Sequence, residues 1–340
     1  FFACSYHFAS TNAHPPRTAE PLTAHALTHL NVMDGMASLM KHLREVVCRV
    51  PRRLFDRNNK KKDNNSKASS AWHVPADQQH AAMESLRTYG FVVLKGVVAK
   101  SEVARFRAQA VAPALRAAGR SIEDENTWPG GDGEMVKAAT PDPNYGDWYP
   151  IPLSTPDGRW PAFFDSPSLN NFLNHIHGGA ANWQWNDGAA HGCGWIHVRY
   201  PVARTMTRPT GWHIDGQNEG YSLGTIRSVV CLPLVTPIEE GGGGTALAIG
   251  SHKHVAQMLS QIENGEVNNV KVTQLASFLA KTCEIAEATG DEGDVLVMHP
   301  FLVHSASRAM RGHPVRISFN LATKWTAPVE KVRRSRSSWC

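Results

Sequence analysis

Two short segments about ninety residues apart constrain this chain more than anything else in it: Gly211-Trp212-His213-Ile214-Asp215-Gly216 and His299-Pro300-Phe301-Leu302-Val303-His304. In the first, His213 and Asp215 stand two apart. On an extended strand residues i and i+2 point to one face, so this segment presents an imidazole and a carboxylate side by side. A third group joining them has to come from a different strand, and a closed β structure is a fold that brings such distant strands together.

The texture from residue 195 onward agrees. Short apolar runs between turn residues predict strands at 195–200, 211–215, 225–235, 244–249, 284–288, 294–299, 302–306 and 315–323, as in a sandwich or closed β fold. Upstream the signals are helical. Residues 76–89 carry Ala82, Leu86 and Tyr89 at helical spacing and stop at Gly90. Phe91-Val92-Val93-Leu94 reads as a buried strand. Ser101 is placed to cap a helix bearing Val103, Phe106, Ala110 and Leu115, with Pro113 kinking it before Gly119. Ser166-Pro167 opens another, with Leu169, Phe172, Leu173 and Ile176 on one face. Residues 120–165 have no period and read as long loops over a pocket mouth. The run Gly241 to Gly244 reads as a flexible turn, because no strand-turn-helix with a following Gly-Lys-Ser/Thr makes it a phosphate cradle.

The 340 residues, 42% of them hydrophobic, suffice for one large core. No apolar run approaches the length of a membrane span. The six cysteines are scattered, with no Cys-x-x-Cys pair, which argues against a zinc ribbon or a disulfide framework and for reduced thiols in an intracellular protein, cytoplasmic or organellar. The net charge of +5 belongs to the ends: residues 1–75 carry +6 and residues 327–340 carry +3, leaving the body at −4. We therefore expect a basic, disordered extension over 1–71, a folded domain over 72–326 and a basic tail over 327–340. Within the extension, residues 36–55 have the character of a basic amphipathic targeting or membrane-surface element, and 58–67 that of a linker. The basic ends suit anionic surfaces, but solubilising tails are the plainer reading. The expected partner is a small-molecule substrate, with no firm nucleic-acid or membrane partner.

Two imidazoles and a carboxylate suit non-haem Fe(II). Three protein ligands leave three octahedral positions, two for a 2-oxoacid and one for O2. The same set suits Zn(II) in a hydrolase. Two distal histidines compete. His299 is followed twelve residues on by Arg311, in a turn-like stretch; His304 is followed twelve on by Arg316, in a strand. That strand places Val315, Ile317, Phe319 and Leu321 on one face and Arg316, Ser318 and Asn320 on the other. Arg316 and Ser318 can then reach one carboxylate through a guanidinium fork and a hydroxyl. We prefer His304 and Arg316, and read His299 as a histidine packed before Pro300. His252 and His254 are spaced like a ligand pair. His191 and His197 read as hydrogen-bonding residues. Arg199 alternates with His197 and has two equal readings, a ligand contact or a core ion pair. Gln217 and Asn218 follow the His-x-Asp and read as facing the same pocket, where they would hydrogen-bond a ligand. Trp128, Trp148, Trp160, Trp183, Trp185 and Trp195 read as packing or as the lining of an apolar pocket.

Taken together, residues 89–97, Trp212-His213-Ile214-Asp215, the stretch from Leu234-Val235-Thr236-Pro237 to Gly250-Ser251-His252-Lys253, and Gly293-Asp294-Val295 through His304 and Arg316 resemble the phytanoyl-CoA dioxygenase family of Fe(II)/2-oxoglutarate oxygenases. The resemblance implies a mainly β fold with flanking helices, its core a double-stranded β-helix (jelly-roll, cupin-like) over about 195–325. It implies an iron triad of His213, Asp215 and His304, with Arg316 on the distal carboxylate of 2-oxoglutarate, and makes the stretch with His252 and His254 a structural loop near the site. It implies Fe(II), 2-oxoglutarate and O2 as cofactor and cosubstrates, and hydroxylation of a small molecule with release of succinate and CO2. Related halogenases carry a small residue where Asp215 stands, which favours hydroxylation here. The chain departs from the family in having Ala306 where some members place a serine, leaving Ser305, Ser307 or Ser318 as substitutes. The tryptophan-rich stretch 128–195 has no matched counterpart. The alternatives are a metal-dependent cupin-type hydrolase and a non-catalytic β-helix that binds a ligand or partner.

Overall fold

A computed structural model describes residues 70–128, 141–142, 146–150, 161–186, 195–216, 227–260 and 269–326. The helices are α1 (Gln79–Tyr89), α2 (Lys100–Phe106), α3 (Ala112–Ala117), α4 (Pro161–Phe164), α5 (Pro167–His177), α6 (Ser251–Ser260) and α7 (Asn269–Thr282). The strands are β1 (His73–Pro75), β2 (Phe91–Lys95), β3 (Pro141–Asp142), β4 (Gly146–Pro150), β5 (Trp183–Trp185), β6 (Trp195–Arg199), β7 (Arg227–Pro233), β8 (Thr245–Ala248), β9 (Ile285–Glu287), β10 (Val295–Met298), β11 (His304–Ala306) and β12 (Arg316–Trp325).

The strands form a large sheet in the order β1-β2-β10-β7-β12-β6-β4-β3, with β5 also paired to β12, and a small sheet in the order β11-β8-β9. All pairs are antiparallel except β1 with β2.

Three apolar clusters make four layers of this arrangement. On the outer face of the large sheet, Val229, Cys231, Val295, Val297, Ile317 and Phe319 pack with Leu86 of α1, Phe106 of α2, Leu115 of α3 and Phe172 of α5. Between the sheets, Phe91, Val93, Val230, Leu232, Leu296 and Met298 meet Leu247 and Ala286 of the small sheet. On the outer face of the small sheet, Ala246, Ala248 and Ile285 pack on Val255 and Leu259 of α6 and Leu275 and Leu279 of α7. Central strands β7 and β10 are covered on both faces, which is why they read as continuous apolar runs.

The predicted strands from 195 onward recur with ends shifted by at most two residues, with one exception. Residues 211–215 form a single bridge, His213 to His304. The sequence reading also missed α6 and α7; His252 and His254 lie on a helix, not a loop. Strands β3 and β4 lie within the stretch read as loops. Ser101 is no cap: Ala99 holds that position and Ser101 is inside the first turn. Pro113 is accommodated by a π turn at Arg107–Val111, which joins α2 to α3 where an α-helical bond would fail.

The glycine run is a tight wrap. The backbone N–H groups of Gly241 and Gly244 donate to the Glu287 carboxylate at 2.8 and 2.7 Å. A Cβ on Gly244 would lie 2.1 Å from the Ala288 carbonyl oxygen, so only glycine permits this approach. Among the described residues no helix is long and apolar enough to cross a membrane. The described cysteines, Cys231 and Cys283, are free thiols.

Candidate metal centre

The His-x-Asp segment is locked to β11 by a reciprocal pair of backbone bonds. His213 N donates to His304 O at 3.0 Å, and His304 N donates to His213 O at 2.9 Å. Directly opposed residues of an antiparallel pair project to the same side, and the two imidazole centroids lie 4.5 Å apart. Alternation then sorts the segment. Trp212 and Ile214 are buried in the cluster under α6 and α7, so His213 and Asp215 face the space between the sheets. Gly211 (φ 73°) and Gly216 (φ 108°) turn the chain at both ends, which limits the pairing to one bridge. The Ser305 hydroxyl donates to the Thr210 carbonyl and ties the two segments together once more.

Both imidazoles are held in the same tautomer. Nδ1 of His213 donates to the Gly211 carbonyl at 2.7 Å, and Nδ1 of His304 to the Leu302 carbonyl at 2.9 Å. Carbonyls only accept, so in the neutral imidazole each Nε2 keeps its lone pair, the form a metal requires. These Nε2 atoms lie 3.7 Å (His213) and 3.6 Å (His304) from Asp215 Oδ1. One ligand atom from each of the three residues falls within 4.8 Å of the others. An ion with bonds of about 2.1 Å needs ligand atoms roughly 3.0–3.4 Å apart, so the two imidazole–carboxylate pairs accept one with a contraction of a few tenths of an ångström. Asp215 Oδ2 is buried with no hydrogen-bond partner. An orphaned carboxylate oxygen beside two free imidazole lone pairs fits a divalent cation.

The titration behaviour follows from this closeness. For Asp215 burial opposes ionisation, but His304 and His213 outweigh it and hold the carboxyl well below its usual range. For His304 burial works against the charged form and Asp215 overcomes it, raising the pKa. For His213 burial and the neighbouring His304 lower it.

A second polar group lines the large sheet. Arg316 and Ser318 on β12 stand opposite Arg199 and His197 on β6. Arg316 Nη2 donates to the Thr245 hydroxyl of the small sheet at 3.3 Å, so this face looks across the gap. Ser318 is fully buried and its Oγ has no hydrogen-bond partner. His197 joins the two groups: burial first, then Arg199 and Arg316, hold its pKa well down, and it also feels Asp215 and His304.

Thus His213, Asp215 and His304 converge, and Arg316 and Ser318 share one wall with His197 and Arg199. His299 is elsewhere, its ring 5.0 Å from that of His252, with Nδ1 accepting from Phe301 N. Arg311 is exposed and donates to the Val202 carbonyl. His252 donates through Nε2 to the Arg87 carbonyl. Gln217, Asn218, Trp160 and His191 lie outside the described residues. Of the three serines offered in place of Ala306, Ser318 lies beside Arg316 with its hydroxyl unused. Thr245 was missed by sequence reasoning; only the pairing of β8 with β11 brings it to Arg316.

No protein-family model matches the chain, and no curated protein does. Among solved structures, it is similar to the non-heme alpha ketoglutarate dependent carbocyclase SnoK from nogalamycin biosynthesis, at TM-score 0.48 and 18% identity over 72% of this chain and 82% of that one. It is similar to AviO1 from Streptomyces viridochromogenes Tue57, at TM-score 0.48 and 16% identity over 73% and 96%. It is also similar to EctD from S. alaskensis, solved with bound Fe, at TM-score 0.43 and 15% identity over 71% and 75%. At such identities the case for what this chain does rests on its own residues.

Proposed function

We propose that the chain is a non-haem Fe(II)- and 2-oxoglutarate-dependent dioxygenase that hydroxylates a C–H bond of a small molecule, built on a double-stranded β-helix core within residues 72–326. The observation that carries this is the joint placement of an orphaned triad, His213, Asp215 and His304, and a buried guanidinium with a hydroxyl beside it, Arg316 and Ser318, around one gap between two sheets.

In this reading Nε2 of both histidines and the Asp215 carboxylate would hold the ion. The ion and 2-oxoglutarate, when bound, supply the oxygen activation. Arg316 fixes the far carboxylate of 2-oxoglutarate through a fork, and Ser318 completes the hydrogen bonding. The backbone bonds to Nδ1 keep the rings from turning. The apolar packing between the sheets keeps water out of the interior beneath. A zinc hydrolase would use the triad and leave Arg316 and Ser318 without a role.

The test is an anaerobic titration of metal-free protein with Fe(II) and 2-oxoglutarate, followed by the visible charge-transfer band that forms when both are bound. We expect the band to need both components, to vanish in His304→Ala and to require far more 2-oxoglutarate in Arg316→Ala. Folded protein that binds Fe(II) but never gives the band would defeat the reading.

A further inference from the structure

The ladder between β7 and β12 is irregular at one point. Leu321 pairs with Cys231 and Ala322 with Val230, but Lys324 pairs with Arg227. Ser228 and Val229 therefore stand opposite Thr323 alone, which makes a β-bulge on β7. Strict alternation from Val230, which lies between the sheets, would put Ser228 there too, and Arg227 on the helix-covered face with Val229 and Cys231. The bulge reverses both. Ser228 turns outward, and its hydroxyl donates at 2.7 Å to Nε2 of His177 at the end of α5. Arg227 turns inward, opposite Lys324, which keeps step with Arg316, Ser318 and Ala322 along β12. It thus shares the face of the large sheet that looks across the gap to the triad.

The bulge is pinned on the helix side. His177 is buried and its Nδ1 donates to the Leu173 carbonyl at 2.6 Å, so in the neutral ring Nε2 accepts from Ser228. The ring packs on Trp183 and Trp325, and the Thr323 hydroxyl donates to the Val229 carbonyl at 3.4 Å. Bulges recur beside active sites, where they re-aim a side chain. Here the re-aimed charge acts on a member of the triad. Burial pushes the Asp215 carboxyl up, and against it work His304, His213 and then Arg227. Asp215 Oδ2 has no hydrogen-bond partner, so Arg227 acts through space. Such an effect needs the charge at that place and no vacant donor on the guanidinium. A fixed cation beside the ligands opposes a second cation and favours an anion.

We propose that Arg227 is a positioning residue of the metal centre, aimed by the bulge at Ser228 and Val229: its charge loosens the triad's hold on a divalent cation and strengthens the hold of the loaded site on an anionic cosubstrate. The first effect rests on the proposed triad and the second on the proposed role of 2-oxoglutarate, and the two are measured separately.

Co(II) is titrated into the metal-free full chain against a competing chelator and followed by its visible absorption. Arg227→Gln should bind it about three- to tenfold more tightly than the parent, the size of one unit charge acting on a divalent ion across a part-buried gap. Arg227→Lys keeps the charge and should stay within about twofold of the parent. The advantage of Arg227→Gln should shrink as KCl is raised. With Fe(II) bound under argon, 2-oxoglutarate read from the charge-transfer band should bind Arg227→Gln about three- to tenfold more weakly. Damage to the fold weakens both ligands and does not give opposite shifts. Ser228→Ala releases the bulge from α5; it should tighten Co(II) by a smaller factor than Arg227→Gln and add nothing in the double variant. Thermal melts establish that each variant is folded, and Arg227→Met serves if Arg227→Gln is not.

Co(II) affinity that is unchanged or weaker in Arg227→Gln, Arg227→Lys that behaves like Arg227→Gln, or a Ser228→Ala effect that persists in full without Arg227 would each overturn the proposal. So would 2-oxoglutarate held as well by Arg227→Gln as by a parent that shows the band. A parent that holds Co(II) and never gives the band is a failure of the cosubstrate reading, and the Co(II) series still decides the role of Arg227. A parent that holds no Co(II) defeats the triad and the proposal with it.

Discussion

At the scale of single residues, the centre depends on groups kept in forms that water would not select. Asp215 stays ionised against burial because two imidazoles face it, and those imidazoles present Nε2 because two carbonyls claim Nδ1. Asp215→Asn keeps the shape and removes the charge. Disturbing a group that merely orients a ligand costs about 10–100-fold in metal affinity, so loss of a charged ligand should cost at least the upper part of that range. Competition against a chelator, with Fe(II) content read by colorimetry, measures it. Near-parental affinity in Asp215→Asn would mean that the carboxylate is not a ligand.

At the scale of elements, α6 is docked through a buried histidine. His252 donates to Arg87 at the end of α1, packs on His299, and has Nδ1 buried without a partner near Gly90. Burial lowers its pKa from 6.5 to about 4. Below pH 6.5 the unfolded chain takes up this proton and the folded one does not. The stability that neutral His252 provides is therefore complete above about 6.5 and falls as the pH drops towards 4, by roughly 1.4 kcal/mol per unit. Urea unfolding at pH 7.5 and 5.0, parent against His252→Leu, should show the parent's disadvantage growing at the lower pH. Parallel losses in both proteins would assign the acid sensitivity elsewhere.

This same region shows where sequence reading stopped. Strands β7 and β10 were legible because sheets buried on both faces leave apolar runs bounded by turns, and β12 because its apolar residues alternate with Arg316, Ser318 and Asn320. The spacing from His304 to Arg316 was legible because both lie on one length of chain. Helix α6 was not: Ser251-His252-Lys253-His254 invites a ligand-pair reading, and its apolar residues only make sense once β8 supplies the face they cover. The bridge at His213 looked like a strand because alternation alone does not register the two positive-φ glycines around it. Thr245 and the Glu287 wrap depend on non-local pairing and leave no local trace.

Across the whole molecule, the space between the two sheets has two characters. One part is apolar, with Leu232, Leu247, Leu296 and Met298 in contact; the other holds the triad, Arg199, Arg316, His197 and Ser318. Folding free energy comes from the first, and the second opposes it by keeping polar atoms from water without full hydrogen bonding. Substitutions in the two parts should therefore have opposite signatures. Leu296→Ala opens a cavity between the sheets and should cost about 2–5 kcal/mol in urea unfolding, with 2-oxoglutarate affinity unchanged. Ser318→Ala removes a buried hydroxyl that makes no hydrogen bond. It should leave the metal-free protein as stable as the parent, or more so, and weaken 2-oxoglutarate by the worth of one hydrogen bond to a charged group, about 1.5–3 kcal/mol or roughly 10–150-fold. A Ser318→Ala protein that unfolds more easily and binds 2-oxoglutarate normally would mean that the hydroxyl serves the fold, and the division of the interior would fail at that residue.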